Sequence, residues 1–221
     1  MIVLQILRKD LSGDIMSYKK WIFFDIGSTL VDESGVYENR IKEITQNNNI
    51  DTIEFITKVK QRAQTEQKPI ASVAENCGVK VPEWRHDLET LYPDTKEVLQ
   101  RLRQNYKIGI IANQDFGTEQ RLTDFNVRQY IDLIIASAEE GVAKPNLQIF
   151  QIALNRANCK PEEAIMVGDR IDNDIIPANK IGMTTVWIRQ GFGGLAEPHT
   201  IDETPNYVIE ELTDIYQLIG V

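Results

Sequence analysis

The sequence is poor in the residues that build disulfide frameworks and transition-metal centres. Its 221 residues include only two cysteines and two histidines. Cys77 and Cys159 lie far apart and lack metal-ligand spacing, which favours reduced thiols in a cytoplasmic protein over a disulfide framework. His86 and His199 have no nucleophile motif beside them, so we expect both to be solvated or packing residues.

Basic residues are outnumbered and scattered along the chain. The sequence has 24 lysines and arginines against 33 aspartates and glutamates, a formal net charge of -9. A nucleic-acid-binding surface needs clustered cations that displace counterions from phosphates, and no such stripe occurs here. We therefore expect no nucleic-acid partner, and nothing in the composition indicates an oligomeric state.

The N-terminal stretch has no long apolar run. Its apolar positions, within residues 2–7, are too few to cross a bilayer and lack the order of a secretory signal, so we expect no membrane partner. Met16 begins a polar stretch directly before the first apolar run, and we predict that the natural protein starts at this methionine. Residues 1–15 are then a disordered extension, and the remaining length permits one domain with a small insertion.

Apolar runs alternate with amphipathic segments through most of the chain. This pattern predicts an α/β fold, with a parallel sheet covered by helices on both faces. Helices are predicted over residues 93–105, 147–157 and, at the end of the chain, 207–218, with Gly182 as the C-cap of a further helix. The predicted strands are residues 21–24, 108–112, 133–136, 164–167 and 184–188.

Residues 34–90 interrupt this alternation. Helical periodicity covers residues 37–44, 52–63 and 70–77, with Asp51 or Thr52 as the N-cap of the second helix. A crossover between parallel strands needs only about a dozen residues, so this segment is more than a connection. We predict a small α-helical cap over residues 34–90, inserted into a core formed by residues 16–33 and 91–221.

Polar residues follow the apolar runs at four places, and ligands bind beyond the carboxyl ends of parallel strands. Each residue taken alone is explained by a structural role. Asp25 suits a turn, Lys144 before Pro145 suits a helix start, and Asp169 suits an acidic helix N-terminus. Their occurrence in this order predicts one shared pocket instead. The residues concerned are Asp25 and Thr29, Asn113, Lys144, and Asp169 with Asp174.

Asp25 is the predicted nucleophile, attacking phosphorus to form an aspartyl-phosphate. An anionic nucleophile approaching a phosphate needs cations, and Lys144 supplies one of them. Mg²⁺ is the predicted second cation. Its predicted ligands are the side chain of Asp25, the backbone carbonyl of Gly27, Asp169 and Asp174. 

The remaining predicted site residues hold the loop and the phosphate. Thr29 is expected to hold the nucleophile loop. Backbone N–H groups of Gly27, Ser28 and Asn113 are expected to bind the phosphate oxygens.

These motifs resemble those of the haloacid dehalogenase superfamily of hydrolases, in its subgroup with a helical cap, over residues 21–188. The resemblance implies a Rossmann-like core with a mobile cap, dependence on Mg²⁺, and hydrolysis of phosphomonoesters of a small metabolite. The two aspartates of the fourth motif resemble those of metal-dependent phosphatases, which disfavours halide chemistry. The matching residues are Asp25 and Thr29, Ala112 and Asn113, Lys144 and Pro145, and Gly168, Asp169 and Asp174.

Gly27 departs from the family pattern, which has a second aspartate two residues after the nucleophile. That aspartate protonates the leaving oxygen and then activates water, and such help is commonly worth about 10²–10⁴-fold. We therefore expect weakened acid–base catalysis and a preference for leaving groups that need little protonation, such as those of sugar 1-phosphates or acyl phosphates. Asp32 and Glu33 are the candidate replacements for proton transfer.

Ala112 is the second departure, at a position where the family carries serine or threonine. Loss of that hydroxyl should cost roughly 1.5–3 kcal/mol of phosphate or transition-state stabilisation. Ser28, Asn113 and Gln114 are candidate replacements.

Two other functions are compatible with the sequence. Gly27 and Ala112 favour a phosphoester-binding or regulatory protein with little turnover, whereas a phospho-accepting receiver domain is disfavoured by the long helical insertion. The insertion itself gives no substrate code. Its larger side chains are expected mostly to pack or to be solvated, namely Tyr37, Arg40, Lys58, Arg62 and Trp84.

Overall fold

A computed structural model describes residues 18–65 and 68–220, so the predicted extension over residues 1–15 lies outside the described residues. Eight strands are described: β1 (Trp21–Phe24), β2 (Val31–Asp32), β3 (Thr90–Leu91), β4 (Lys107–Ala112), β5 (Leu133–Ala136), β6 (Ala164–Gly168), β7 (Thr184–Ile188) and β8 (Tyr207–Ile209). The α-helices are α1 (Ser34–Asn47), α2 (Thr52–Ala63), α3 (Pro69–Asn76), α4 (Thr95–Leu102), α5 (Thr118–Asp124), α6 (Ser137–Glu140), α7 (Leu147–Ala157), α8 (Ile176–Ile181) and α9 (Ile215–Ile219).

Six strands form one sheet in the order β5-β4-β1-β6-β7-β8, and all neighbours are parallel. The central strand β1 is apolar throughout because both of its faces are covered: Ile22 and Phe24 pack into one core cluster and Phe23 into the other. The predicted Rossmann-like α/β fold is thereby confirmed. The short strands β2 and β3, which sequence reasoning missed, pair antiparallel beside this sheet.

Three helices lie between β2 and β3 and share an apolar cluster of their own. Ile44 of α1, Phe55 and Val59 of α2 and Val73 of α3 are buried in it. Asp51 caps α2 by accepting a hydrogen bond from the backbone N–H of Glu54, so the first of the two predicted N-caps is the one used. The cap boundaries at residues 34 and 90 stay a prediction.

The C-terminal segment differs from its prediction. A single helix over residues 207–218 is wrong, because residues 207–209 form β8, and α-helix is confined to Ile215–Ile219. The apolar residues Ile209, Leu212 and Ile215 have helix-like spacing, but pairing of β8 with β7 outweighs this local preference. The predicted helix over 93–105 is also shorter, covering Thr95–Leu102. Within the described ranges, no helix has the length and apolar character needed to cross a membrane.

Candidate active site

The nucleophile candidate and the fourth motif lie side by side because β1 and β6 are neighbours in the sheet. Asp25 follows β1, Asp169 follows β6, and the backbone N–H of Asp25 donates to the carbonyl of Val167 over 2.9 Å. Asp174 returns to the same place from the single π-helical turn at Ile171–Ile175. Carboxylate oxygens of Asp25, Asp169 and Asp174 all lie within 4.8 Å of one another, and all three residues are buried.

Lys144 places its ammonium group between two of these carboxylates. Its Nζ lies 2.8 Å from Oδ1 of Asp25 and 2.6 Å from Oδ1 of Asp174, and its side chain is only 1% exposed. Burial alone would lower the pKa of Lys144, but the charges of Asp174 and Asp25 outweigh it and raise the pKa above its ordinary value. Lys144 is therefore held as a cation against the carboxylate of Asp25, the candidate nucleophile.

Asn113 positions Lys144 through its side-chain amide. The amide Nδ2 of Asn113 donates to the backbone carbonyl of Lys144 over 2.9 Å, and the backbone N–H of Lys144 donates to Oδ1 of Asn113 over 2.7 Å. This two-point contact ties the end of β4 to the loop before α7. Sequence reasoning named the backbone N–H of Asn113 for the phosphate and its side chain as a candidate for the hydroxyl that Ala112 lacks. It missed this contact of the side chain with a residue 31 positions away.

The acidic cluster carries more negative charge than its protein partners neutralise. Burial raises the pKa of Asp169 well above its ordinary value, and the neighbouring Asp174 and Asp25 raise it further. Burial likewise raises the pKa of Asp174 to about 6, although Lys144 opposes this shift. Oδ1 of Asp169 is buried and has no hydrogen-bond partner among the described residues. A hard divalent cation with oxygen ligands, such as Mg²⁺, fits this orphaned atom and this excess charge.

The turn after Asp25 is held mainly by backbone hydrogen bonds. The N–H of Ser28 donates to the carbonyl of Val31 over 2.8 Å, and that of Leu30 donates to Ile26 over 2.9 Å. Thr29 is buried in this turn, and its Oγ1 has no hydrogen-bond partner within residues 18–65 and 68–220. Its predicted role in holding the loop stays a prediction. Ser28 has a left-handed backbone with φ of 52°.

Glu33 occupies the space that opens above Gly27. A Cβ atom built on Gly27 would collide with Oε1 of Glu33 and lie 2.7 Å from its Cδ. Oε2 of Glu33 accepts hydrogen bonds from the hydroxyl of Tyr37 over 2.7 Å and from Oγ of Ser28 over 3.1 Å. Burial raises the pKa of Glu33 to about 7. The hydrogen bond from Tyr37 lowers this pKa, whereas the negative charge of Asp25 raises it further.

The other candidate for proton transfer, Asp32, is engaged differently. Its Oδ1 accepts a hydrogen bond from the backbone N–H of Ser34 over 2.8 Å, as in a turn that begins a helix. Gln114, a candidate for the hydroxyl that Ala112 lacks, instead accepts a hydrogen bond from Arg121 through its side-chain oxygen. The structure thus separates Glu33 from Asp32, which the sequence could not.

A glycine-rich loop after β7 packs closely on the site, and sequence reasoning missed it. A Cβ on Gly191 would lie 2.5 Å from Oγ of Ser28. A Cβ on Gly193 would collide with Oδ2 of Asp169 and lie 2.7 Å from its backbone oxygen. The available signal was the sequence Gly-Phe-Gly-Gly directly after a predicted strand, since closely spaced glycines permit such an approach.

A cavity of about 560 Å³ lies between the inserted helices and the acidic cluster. Tyr37, Arg40 and Trp84 line it from the inserted segment, while Asp169 and Phe192 line it from the sheet side. The guanidinium of Arg40 lies 4.6 Å from the ring centre of Trp84, and its buried Nε has no hydrogen-bond partner among the described residues. Arg40 therefore places a positive charge at the wall of the cavity.

Lys58 and Arg62 are the two remaining residues of the insertion that the sequence singled out. Lys58 forms an exposed ion pair with Glu54, and Arg62 donates to Oγ of Ser72 over 3.3 Å. Neither is among the residues that line the cavity. The expectation that these residues mostly pack or are solvated therefore suits Lys58 and Arg62 better than the three lining residues.

This fold and this arrangement define a class of hydrolase, and comparison with known proteins agrees. The family described as haloacid dehalogenase-like hydrolase matches residues 17–188. The chain belongs to this family, as its motifs predicted. The magnesium-bound HAD hydrolase YfnB of Bacillus subtilis shares the fold, with a TM-score of 0.68, 17% identity, and coverage of 92% of this chain and 99% of that one.

Sequence relatives include named phosphatases. The chain is 30% identical over 224 residues to glyceraldehyde 3-phosphate phosphatase of Pyrococcus furiosus, covering 90% of this chain and 92% of that protein. It is 38% identical over 130 residues to the Methanopyrus kandleri protein of the same name, covering 56% of this chain and 55% of that protein. The matched region thus spans about half the length of the second relative.

Proposed function

We propose that this protein hydrolyses phosphomonoesters of small metabolites through an aspartyl-phosphate at Asp25. The observation that carries the proposal is the convergence of Asp25, Asp169 and Asp174 within 4.8 Å, with the ammonium of Lys144 2.8 Å from Asp25. A carboxylate nucleophile beside a fixed cation suits attack on an anionic phosphate. The named phosphatases among its relatives support the same reaction.

The reaction divides into two displacements at phosphorus. A carboxylate oxygen of Asp25 attacks phosphorus, the ester oxygen leaves, and the phosphate becomes bound to Asp25. Water then attacks the same phosphorus and releases orthophosphate and the carboxylate. Lys144 offsets the negative charge brought together at Asp25, and Asn113 holds Lys144 in place.

Mg²⁺ is the proposed cofactor. Asp25, Asp169, Asp174 and the backbone carbonyl of Gly27 would hold it, and when bound it supplies Lewis-acid stabilisation of the phosphoryl oxygens. The same hard-oxygen set is poorly suited to soft transition metals.

The proposed substrate is a small, polar phosphate ester. The cavity of about 560 Å³ falls in the size range of metabolite sites, and Arg40 offers its guanidinium there. The names of the relatives make glyceraldehyde 3-phosphate the first compound to test. No nucleic-acid or membrane partner is proposed.

A second candidate function is phosphoester binding with little turnover. Gly27 supplies no acid or base, and the fully buried Ala112 supplies no hydroxyl to the phosphate. Ligand-induced thermal stabilisation in Mg²⁺ without release of phosphate would favour this function over the first.

The first prediction concerns the nucleophile. Wild-type protein with Mg²⁺ is expected to release phosphate from glyceraldehyde 3-phosphate or another member of a panel of small phosphate esters. Asp25→Asn, which keeps the size of the side chain but weakens the nucleophile, is expected to abolish this release. Asp124→Asn, an exposed position on α5, is the matched control and should leave the rate unchanged. Equal rates for wild type and Asp25→Asn would refute the proposal.

A further inference from the structure

We propose that Glu33 is the general acid and base of this site, supplied from outside the nucleophile loop to the place where Gly27 carries no side chain. This inference rests on the proposed hydrolysis and concerns which residue moves the proton in it. It replaces the expectation that acid–base catalysis is weakened.

The first supporting observation is the overlap of two positions. A Cβ on Gly27 would collide with Oε1 of Glu33 and would lie 2.7 Å and 3.0 Å from its Cδ and Oε2. An aspartate at position 27 and the present Glu33 would therefore compete for the same volume. A carboxyl group is present there, but it comes from a residue six positions further along the chain.

The second observation is how the carboxyl group is held. The hydroxyls of Tyr37 and Ser28 both donate to Oε2, whereas Oε1 is the atom nearest the space above Gly27. Two fixed donors on one oxygen orient the other oxygen towards the nucleophile loop. Glu33 directly precedes α1 but makes no side-chain capping bond to it, so helix capping does not explain its position.

The proton movements balance over the two displacements. In the first, the P–O bond to the leaving group breaks as Asp25 binds phosphorus, and protonated Glu33 gives its proton to the leaving oxygen, which departs as an alcohol. In the second, the Glu33 carboxylate takes a proton from the attacking water as the bond between phosphorus and Asp25 breaks. Glu33 ends protonated, as it began, so one residue serves both steps.

The test compares substrates that differ in their need for a proton. Glu33→Gln keeps the size of the side chain and an oxygen that accepts from Tyr37, but it cannot act as an acid. For glyceraldehyde 3-phosphate, whose leaving group is an alkoxide, we expect kcat/KM to fall about 10²–10⁴-fold. For 4-nitrophenyl phosphate, whose leaving group is stable as an anion, kcat/KM should fall by a much smaller factor. A purely structural role would lower both alike.

Two further variants separate this role from general damage. Asp32→Asn keeps the oxygen that accepts from the backbone N–H of Ser34, so kcat/KM for both substrates should stay near the wild-type values. Gly27→Asp alone should raise kcat/KM little, because the new side chain would collide with Glu33. Gly27→Asp combined with Glu33→Ala makes room for that group and should restore hydrolysis of the alkyl ester above the level of Glu33→Ala alone.

The outcomes distinguish this inference from the proposed function. Equal losses of kcat/KM for both substrates in Glu33→Gln, or no loss for either, would overturn the role of Glu33 while the nucleophile Asp25 stands. Full activity of Asp25→Asn would instead overturn the hydrolytic route itself. Activity of Glu33→Gln on 4-nitrophenyl phosphate also shows that this variant folds.

Discussion

At the scale of the residue, the site depends on charges that are buried together. Three carboxylates lie within 4.8 Å of one another, and Nζ of Lys144 lies within 2.8 Å of two of them, Asp25 and Asp174. Removing one partner of a buried ion pair leaves the others uncompensated, which is far more costly than losing an exposed pair. The stability of the protein should therefore respond to this single lysine.

The prediction at this scale is for Lys144→Met. The variant should lower the free energy of unfolding by about 3–5 kcal/mol in the absence of Mg²⁺, because Asp25 and Asp174 lose their buried cation. Denaturant unfolding followed by circular dichroism measures the change. Lys107→Met is the matched control: its lysine is 63% exposed beside Asp132, and the expected loss is about 0–1 kcal/mol. Similar losses in the two variants would contradict this account of the site.

The convergence of the principal candidate site residues was predictable from the sequence, and their supporting contacts were not. Asp25 and Asp169 directly follow apolar runs, and parallel strands bring such residues to one edge of a sheet. Glu33 could not be ranked above Asp32, because only the packed turn shows which carboxyl group fills the space above Gly27. The side chain of Asn113 likewise gained its role from a contact with a distant loop.

At the scale of the element, the apolar strands of the sheet were predictable, the edge strand β5 among them, whereas β8 and the short strands β2 and β3 were not. The short, fully apolar run of β1 predicts a buried strand. The residues around β8 have helix-like apolar spacing, and β8 is a strand because it pairs with β7. The loop after β7 is another such element. This loop can lie close to the acidic cluster because its glycines leave room for the neighbouring side chains.

The prediction at this scale is for Gly193→Ala. Its Cβ would collide with Oδ2 of Asp169 and crowd the backbone there, so Asp169 should be displaced and Mg²⁺ should bind more weakly. We expect a smaller Mg²⁺-induced rise in melting temperature than in wild type, since at a given concentration a ligand that binds more weakly stabilises the folded protein less.

The matched control for that variant is Gly117→Ala. This glycine has open space around it but a left-handed φ of 90°, so alanine should cost stability without changing the response to Mg²⁺. An unchanged Mg²⁺ response in Gly193→Ala would show that the loop does not govern the acidic cluster.

At the scale of the whole molecule, the sheet and the inserted helices contribute different parts of one site. The sheet brings Asp25, Lys144 and Asp169 together, and the inserted segment adds Tyr37 and Arg40 around the cavity. Glu33 stands at the junction of the two. We therefore place the proposed chemistry at the sheet edge and expect the choice of substrate to depend on the inserted segment.

In the proposed reaction the phosphate is bound to Asp25 between the two displacements, so we propose to trap it there during turnover. Wild-type protein is mixed with Mg²⁺ and glyceraldehyde 3-phosphate or the best substrate of the panel, quenched in acid during turnover, and digested for mass spectrometry. We expect phosphate on the peptide that contains Asp25, and none on that peptide in Asp25→Asn. Turnover with phosphate carried by a different residue, or undiminished turnover in Asp25→Asn, would contradict it.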